Sequence, residues 1–264
     1  MGASATALVC DVTLEADVAR VASHALEQAG RIDVWINNAG VTAFGALEST
    51  PLPELRRVVE TNLWGSVHGA RAVIPIFRRQ HAGTLINVGS ILSKVGQPFV
   101  PSYVISKFAL RGLSEALRAE VADEPSIHVC TLLPYAVDTP HFQTGANFVG
   151  REAHAMPPAL APEVVARALV TLIERPRREL HVPRSAQLGL ALHALFPRTV
   201  ERVIHDTLSR WHFGERQQLD AGGNLWRPAA EGPAVRGQRP PRVSLPSLIA
   251  WLFGHYAGRA LRGA

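Results

Sequence analysis

The sequence has few cysteines, the residues that form disulfides and bind many structural metal ions. It contains two cysteines, Cys10 and Cys130, and both lie in apolar, strand-like runs. We therefore expect two small buried residues in a reducing compartment, and no disulfide framework. The histidines are scattered without the spacing to cysteine or histidine that is typical of zinc sites, so we expect no metal.

The chain also lacks a long hydrophobic run. Its N-terminus shows neither a basic segment nor an apolar segment of the secretory kind, which predicts a cytoplasmic protein. Near the other end, residues 247–262 would reach about 24 Å as a helix, short of a roughly 30 Å hydrocarbon core. The apolar stripe of this segment predicts an amphipathic helix that either packs on protein or lies peripherally on a membrane surface.

Lysine is scarce, since only two of the 27 basic residues are lysines. The positive charge is concentrated in residues 175–264, which carry 14 arginines against six acidic residues. No nucleic-acid recognition motif accompanies this charge, so we expect no nucleic-acid partner. The length of 264 residues and the hydrophobic content of 47% predict one domain with an extension.

Tyr103 and Lys107 stand four residues apart, although the chain has only three tyrosines and two lysines. A helix places both on one face, where the ammonium would lower the pKa of the phenol. Such a tyrosine exchanges a proton with a carbonyl or alcohol oxygen. Ser90 ends the apolar run GTLINVGS, which predicts a buried strand whose end presents ligand-binding groups. Taken alone, the pair also fits an ordinary amphipathic helix.

Further segments, in this order along the chain, resemble the short-chain dehydrogenase/reductase family. They are CDV (10–12), RIDVWINNAG (31–40), VVETNLWG (58–65), the residues Ser90, Tyr103 and Lys107, and LLPYAVDTP (132–140). The resemblance covers residues 5–183. It implies an α/β fold with a doubly wound parallel sheet, Rossmann-like, followed by a mostly helical C-terminal extension.

By this resemblance, four residues are catalytic. Tyr103 is the general acid/base, Lys107 lowers its pKa and holds the nicotinamide ribose, Ser90 binds the substrate oxygen, and Asn62 holds a water in the proton relay. The alternative for Asn62 is that it only caps or bends its helix. The implied function is an NAD(P)-dependent oxidoreductase that interconverts a carbonyl and a secondary alcohol.

The resemblance also implies a cofactor site for NAD or NADP, and the sequence does not choose between the two. The residues that would contact it, besides Tyr103 and Lys107, are Asp11, Val12, Asn38, Ala39, Gly40, Pro134, Val137 and Thr139. Asp11 could instead be the N-cap of the following helix, or serve both roles. Thr139 could be an ordinary turn residue. Asn37 is expected to bridge strands through its amide.

The phosphate-binding turn of the family, Thr-Gly-x-x-x-Gly-x-Gly, does not occur in the sequence. We therefore expect a sheet that lacks its first strands. The strands near 32–37, 84–88, 127–133 and 179–182 should pair in parallel in that order. A strand near 6–10 should either remain without ladder partners or collapse onto the first of these. The alternative function is a non-catalytic relic or dimeric scaffold without a dinucleotide phosphate site.

The predicted organisation has four parts. They are the truncated Rossmann-like domain (1–183), a helical extension (184–226), a flexible linker (227–243) and an amphipathic C-terminal helix (244–264). The helices around 54–79 and 101–122 resemble the pair that forms the family's dimer, which predicts a homodimer. Phe142, Phe148 and Met156 predict a pocket for a hydrophobic ketone or alcohol, and Tyr135 would narrow the space beside the nicotinamide.

Overall fold

A computed structural model describes residues 5–217, 221–229 and 234–260, with side chains up to residue 256. Residues 1–4, 218–220, 230–233 and 261–264, which belong to the predicted segments above, lie outside the described residues. The central sheet of the described chain has four parallel strands. In spatial order they are β1 (Val34–Asn37), β3 (Gly83–Val88), β4 (Ile127–Pro134) and β7 (Glu179–Val182). The predicted order and direction of these strands are confirmed.

The strands are apolar on both faces because helices cover both faces of the sheet. Leu85 of β3 packs against one layer of helices, and the next residue, Ile86, packs against the other. The first layer contains α1 (Glu15–Ala29), α3 (Gly65–Gln80) and α4 (Pro101–Glu120), and the second contains α6 (Pro162–Glu174). The α/β doubly wound architecture expected from the sequence is therefore present.

The remaining elements connect these layers or form the C-terminal part. They are β2 (Ala43–Phe44), α2 (Leu52–Val59), a π-helical turn (Glu60–Trp64), a 3₁₀ turn (Ile91–Ser93), α5 (His141–Thr144), β5 (Ala146–Asn147), β6 (Arg151–Ala153), α7 (Ala186–Leu195), α8 (Pro197–Trp211), β8 (Phe213–Gln217) and α9 (Leu245–Ala260). The strands β2 and β5 pair in parallel, and β6 pairs antiparallel with β8.

The segment before α1 runs beside the sheet without joining it. Residues 5–10 form no strand and no ladder with any described residue, which is the first of the two expected outcomes. The Val9 carbonyl accepts a hydrogen bond from Arg20 at 2.7 Å. Both cysteines are free; Cys130 is buried as expected, but Cys10 is only half-buried because its segment has no strand beside it.

Asp11 does not cap α1. The N-cap position is occupied by Leu14, which makes no side-chain capping bond, and the Asp11 carboxylate instead accepts hydrogen bonds from the backbone and hydroxyl of Thr13 at 3.0 and 2.8 Å. Asp11 lies three residues before the cap, so its carboxylate closes the preceding turn and does not satisfy the N–H groups of the helix's first turn. The capping interpretation of Asp11 is therefore wrong.

The helices of the C-terminal part pack on one another and on Phe99 and Met156 of the preceding chain. Its stretch 184–226 contains β8 besides the helices α7 and α8. Leu248 of α9 is buried against Leu208 of α8, and the indole rings of Trp211 and Trp251 meet edge to face at 6.4 Å. No helix among the described residues is long and apolar enough to cross a membrane.

Parts of the predicted linker are held against the domain. Arg236 pairs with Glu163 of α6 at 3.0 Å, and Arg239 donates to the Phe142 carbonyl at 3.1 Å. These contacts bring the described part of residues 227–243 beside the loop that follows β4.

Candidate active site

Three neighbouring strands deliver the site residues to one edge of the sheet. Gly40 follows β1, Ser90 follows β3, and Pro134 ends β4. Because parallel strands end at the same edge, these residues lie close to one another, as ligand-binding groups do in open α/β sheets. The helix α4 begins nearby and supplies Tyr103 and Lys107 on one face, as their spacing predicts.

The phenol of Tyr103 lies beside Ser90 and above Lys107. The Ser90 hydroxyl lies close enough to the phenol to lower its pKa, and it accepts a bond from the Leu92 backbone at 3.2 Å, which fixes its position. The ammonium of Lys107 lies 5.4 Å from the centre of the Tyr103 ring and donates to the Val88 carbonyl at 2.8 Å. The structure therefore places three of the four predicted catalytic side chains next to one another.

Burial governs the ionisation of both groups. It raises the pKa of Tyr103 to about 12, although the bond from Ser90 acts in the opposite direction. It lowers the pKa of Lys107 to about 8. The expected lowering of the Tyr103 pKa is therefore wrong for this arrangement. The ammonium faces a backbone carbonyl and the ring, so its effect does not outweigh the loss of hydration around the phenol oxygen.

Asn62 is fully buried in the π-helical turn between α2 and α3. Its amide oxygen accepts from the Val41 backbone at 2.8 Å, and its amide nitrogen donates to the Val41 carbonyl and to the Ser106 hydroxyl, both at 3.0 Å. The helix departs from α geometry at this residue, and π-helical turns occur frequently at functional sites. With its amide bonded to protein, the proton-relay role of Asn62 stays a prediction.

The residues at and after the end of β1 have different surroundings: Asn37 bonds to protein, whereas the next three residues border open space. The Asn37 amide donates to Asn87 at 2.8 Å and so bridges β1 and β3, as expected. Asn38 and Ala39 line a cleft of about 330 Å³ together with Val12. A side-chain carbon at Gly40 would lie 3.5 Å from the Asn62 amide oxygen and 3.7 Å from the Lys107 ammonium. Glycine thus keeps a free space next to two of the predicted catalytic residues.

Asp11 is engaged with protein. Arg57 of α2 binds its carboxylate at 3.0 Å. Burial opposes its ionisation, but the bonds from Thr13 and Arg57 hold the pKa of the Asp11 carboxyl below its usual range. The neighbouring Val12 carbonyl accepts a bond from His68 at 2.9 Å. Of this predicted adenine-contacting pair, Val12 faces the cleft and Asp11 does not line it.

The loop after β4 carries the residues predicted to meet the nicotinamide. Pro134 ends the strand, Val137 forms an isolated bridge with Leu160, and the Thr139 backbone donates to the Val137 carbonyl at 2.9 Å. This loop lies at the same sheet edge as Ser90. The contact of Pro134, Val137 and Thr139 with a cofactor stays a prediction. Tyr135 directly follows Pro134, and burial raises the pKa of its phenol.

Two residues at this site are not among the individual site residues that the sequence predicts. The His141 ring packs edge to face against the Tyr103 ring, with 5.7 Å between ring centres. Arg57 joins Asp11 to the carbonyl of Leu225, which comes from the C-terminal part. His141 follows the Asp-Thr-Pro sequence by one residue, a position that points to the site, whereas nothing near Arg57 in the sequence indicates partners 46 and 168 residues away.

Comparison with known proteins identifies the family. Residues 1–147 match the family model described as short chain dehydrogenase. An uncharacterised oxidoreductase of Bacillus subtilis, YxnA, is 34% identical over 78% of this chain and 59% of its own length. The chain spans about half the length of several curated relatives, from 47% to 59% for three of them.

Solved structures give the same assignment. A short-chain dehydrogenase from Streptomyces avermitilis aligns over 77% of this chain and 79% of its own, with a TM-score of 0.61 and 26% identity. An alcohol dehydrogenase from the archaeon Thermococcus sibiricus, complexed with 5-hydroxy-NADP, aligns over 65% and 71% with a TM-score of 0.56 and 27% identity. With its parallel sheet and its matched family model, this chain belongs to the short-chain dehydrogenase family.

Proposed function

We propose that the protein is an NAD(P)-dependent oxidoreductase that interconverts a carbonyl and a secondary alcohol, with Tyr103 as the general acid/base. The observation that carries the proposal is the contact between the Tyr103 phenol, the Ser90 hydroxyl and the underlying Lys107 ammonium. A phenol with its pKa raised to about 12 keeps its proton at neutral pH. In this proposal the protonated Tyr103 is the donor to a substrate oxygen, which is the role that carbonyl reduction requires.

The side chains at the sheet edge fit a nicotinamide cofactor. The Lys107 ammonium has three protons and donates one to Val88, which leaves two for ribose hydroxyls. Gly40 leaves the adjoining space open. Val12, Asn38 and Ala39 would border the adenine half, and Pro134, Val137 and Thr139 the nicotinamide half. When bound, NAD or NADP supplies the hydride.

The protein's own part in the reaction is positioning and proton transfer. Ser90, held by the Leu92 backbone, would donate a hydrogen bond to the substrate oxygen while Tyr103 gives that oxygen its proton. Both donors are fixed before the negative charge develops, which is how preorganised donors stabilise a transition state. Lys107 would then stabilise the phenolate that Tyr103 leaves behind. Asn62 is the proposed holder of a relay water.

Removal of the phenol oxygen of Tyr103 tests this proposal. The natural full-length protein, supplied with NADPH or NADH and a panel of aryl and alkyl ketones, should lose on the order of 10²–10⁴-fold in kcat when Tyr103→Phe removes the proton donor. Tyr256→Phe is the matched control, because it removes a hydroxyl on α9 that is bonded to Asp206 of α8. A Tyr103→Phe variant within threefold of the wild-type rate would rule out Tyr103 as the proton donor.

A second candidate function is a non-catalytic dimeric scaffold. It is favoured by β1, which has a ladder partner on only one side within the described residues. Calorimetric titration with NADH and NADPH separates the two functions. Micromolar affinity supports the oxidoreductase, whereas a folded protein that binds neither nucleotide supports the scaffold.

We further propose that the protein forms a homodimer through α4 and the helices that precede it. Ile105 and Phe108 of α4 are exposed apolar residues three positions apart, and the neighbouring π-helical turn exposes Trp64. Gly112, one turn beyond Phe108, has open space beside it. An exposed apolar stripe on two adjacent helices fits a second copy of the same surface, since two-fold interfaces are self-complementary.

A peripheral membrane contact is the third element of the proposal. On α9, Leu245, Ile249 and Phe253 lie four residues apart and are 41%, 45% and 74% exposed, while Leu248 faces α8. One stripe of the helix thus packs on protein and the adjacent stripe remains uncovered in the described chain. Because the C-terminal third of the sequence is basic, the uncovered stripe fits an anionic lipid surface.

A further inference from the structure

His141 opens α5 directly beside the proposed acid/base. Its ring meets the Tyr103 ring edge to face at 5.7 Å between centres, and it meets the Phe142 ring at 5.8 Å. Within the described residues, neither ring nitrogen of His141 has a hydrogen-bond partner. The imidazole therefore presents a free polar edge within contact distance of the tyrosine.

The imidazole is uncharged under ordinary conditions. Burial, assisted by the nearby Lys107 ammonium, lowers the pKa of His141 to about 4. A neutral imidazole carries one donor and one acceptor nitrogen. It therefore suits an uncharged oxygen, either a carbonyl or a hydroxyl, and offers no charge to a carboxylate or phosphate.

A purely structural role explains this residue poorly. The adjacent Phe142 already provides an aromatic ring to the same apolar cluster, in which it packs with Phe44 and Phe213. His141 is only partly buried, and its ring nitrogens, which make no bond to described protein groups, are open to a ligand bound beside Tyr103.

We propose that His141 hydrogen-bonds a second oxygen of the substrate, on a carbon next to the one that reacts at Tyr103. This inference rests on the proposed function. The substrates are then ketones or alcohols with a neighbouring oxygen, such as 1,2-diketones, α-hydroxy ketones and vicinal diols. The apolar side chains packed around Tyr103, among them Phe142 and Leu225, assign an apolar substituent to the rest of the molecule.

A matched pair of ketones tests the assignment in the natural full-length protein. 1-Phenyl-1,2-propanedione carries the second oxygen and 1-phenyl-1-propanone lacks it. His141→Leu should reduce kcat/KM for the dione on the order of tenfold or more, the effect of one lost hydrogen bond in a buried site, and leave the monoketone within about threefold. His141→Gln, which keeps a donor and an acceptor, should restore most of the loss.

An equal loss on both ketones would show that His141 only shapes the pocket, and no loss on the dione would also overturn the assignment. Binding of each ketone is measured separately, by calorimetry in the Tyr103→Phe background with cofactor present. There, His141→Leu should weaken the dione on the order of tenfold and leave the monoketone unchanged. Selective binding without any turnover in the parent protein would refute the oxidoreductase proposal and uphold the role of His141. Turnover of the ketones, together with equal binding effects of His141→Leu on both ketones, would refute the role of His141 and uphold the oxidoreductase proposal.

Discussion

The Lys107 ammonium lies under the face of the Tyr103 ring, 5.4 Å from its centre, and is bonded to the Val88 carbonyl. The contact places a cation next to the ring of a phenol in a site from which water is largely excluded. Each group is therefore held in its uncharged form more strongly than in water, so that proton uptake and release at the site are governed by desolvation.

The stability of the protein should depend on pH through Lys107. Burial lowers the pKa of this amine from 10.5 to about 8, so between these values the unfolded chain binds more protons than the folded one. Stability should then rise with pH across that window. At about 1.4 kcal/mol per pKa unit, the full contribution is about 3 kcal/mol. Lys107→Met should remove this rise, as measured by urea unfolding of both proteins between pH 7.5 and 10.5.

The comparison is made as a difference between variant and wild type, because Tyr103 and the two cysteines also titrate at high pH with shifted pKa values. If the difference in unfolding free energy between Lys107→Met and wild type stays constant across this pH window, the lowered pKa of Lys107 is contradicted.

Arg57 should contribute to stability because it joins two distant segments to α2. Its guanidinium binds the Thr13 hydroxyl at 2.8 Å, the Leu225 carbonyl at 2.9 Å and the Asp11 carboxylate at 3.0 Å. Lysine keeps the charge but not the fork of donors, so Arg57→Lys should lower the free energy of unfolding by about 1–3 kcal/mol. Arg56→Lys, at the exposed neighbouring position, is the control. An equal effect of both substitutions on the free energy of unfolding would exclude the stabilising role of Arg57.

A single charge on α4 should dissociate the proposed homodimer. Ile105 is 55% exposed, and Ile105→Arg would place an unpaired charge in the apolar interface. Light scattering at micromolar concentration should change from dimer to monomer. Leu47→Arg, an equally exposed apolar position on the loop before α2, should remain dimeric. A wild-type monomer, or a dimer that tolerates arginine at 105, counts against this interface.

Membrane attachment should depend on the uncovered stripe of α9. Phe253→Ser should weaken binding to vesicles of phosphatidylcholine with about one-third phosphatidylserine on the order of tenfold or more, since burial of a large apolar side chain contributes about 1.5–3 kcal/mol. Ser247→Ala on the same helix is the control. Cosedimentation measures both, and a wild-type protein that stays in the supernatant would refute the membrane contact.

Local patterns in the sequence determine the framework of this protein. The run GTLINVGS is apolar enough to become the buried strand β3, and the four-residue spacing of Tyr103 and Lys107 places them on one helix face whatever surrounds them. Short-range periodicity therefore predicts the individual strands and helices. The parallel strand order and the family were expected because the order of motifs resembles that of the short-chain dehydrogenase/reductase family. The assignment of catalytic and cofactor-contacting roles to particular residues stays a prediction.

Tertiary structure decided the environment of each site residue. The pKa of Tyr103 rises because packing removes water from the phenol, an effect that depends on segments as distant as Leu225. Asp11 is bound by Arg57, 46 residues away, and does not line the cleft. His141 reaches Tyr103 only because the ends of β3 and β4 meet at one edge of the sheet. Desolvation and long-range contact arise from the folded arrangement of the whole chain, so a sequence read in local windows predicts which groups are present but not how strongly they are charged or what they touch.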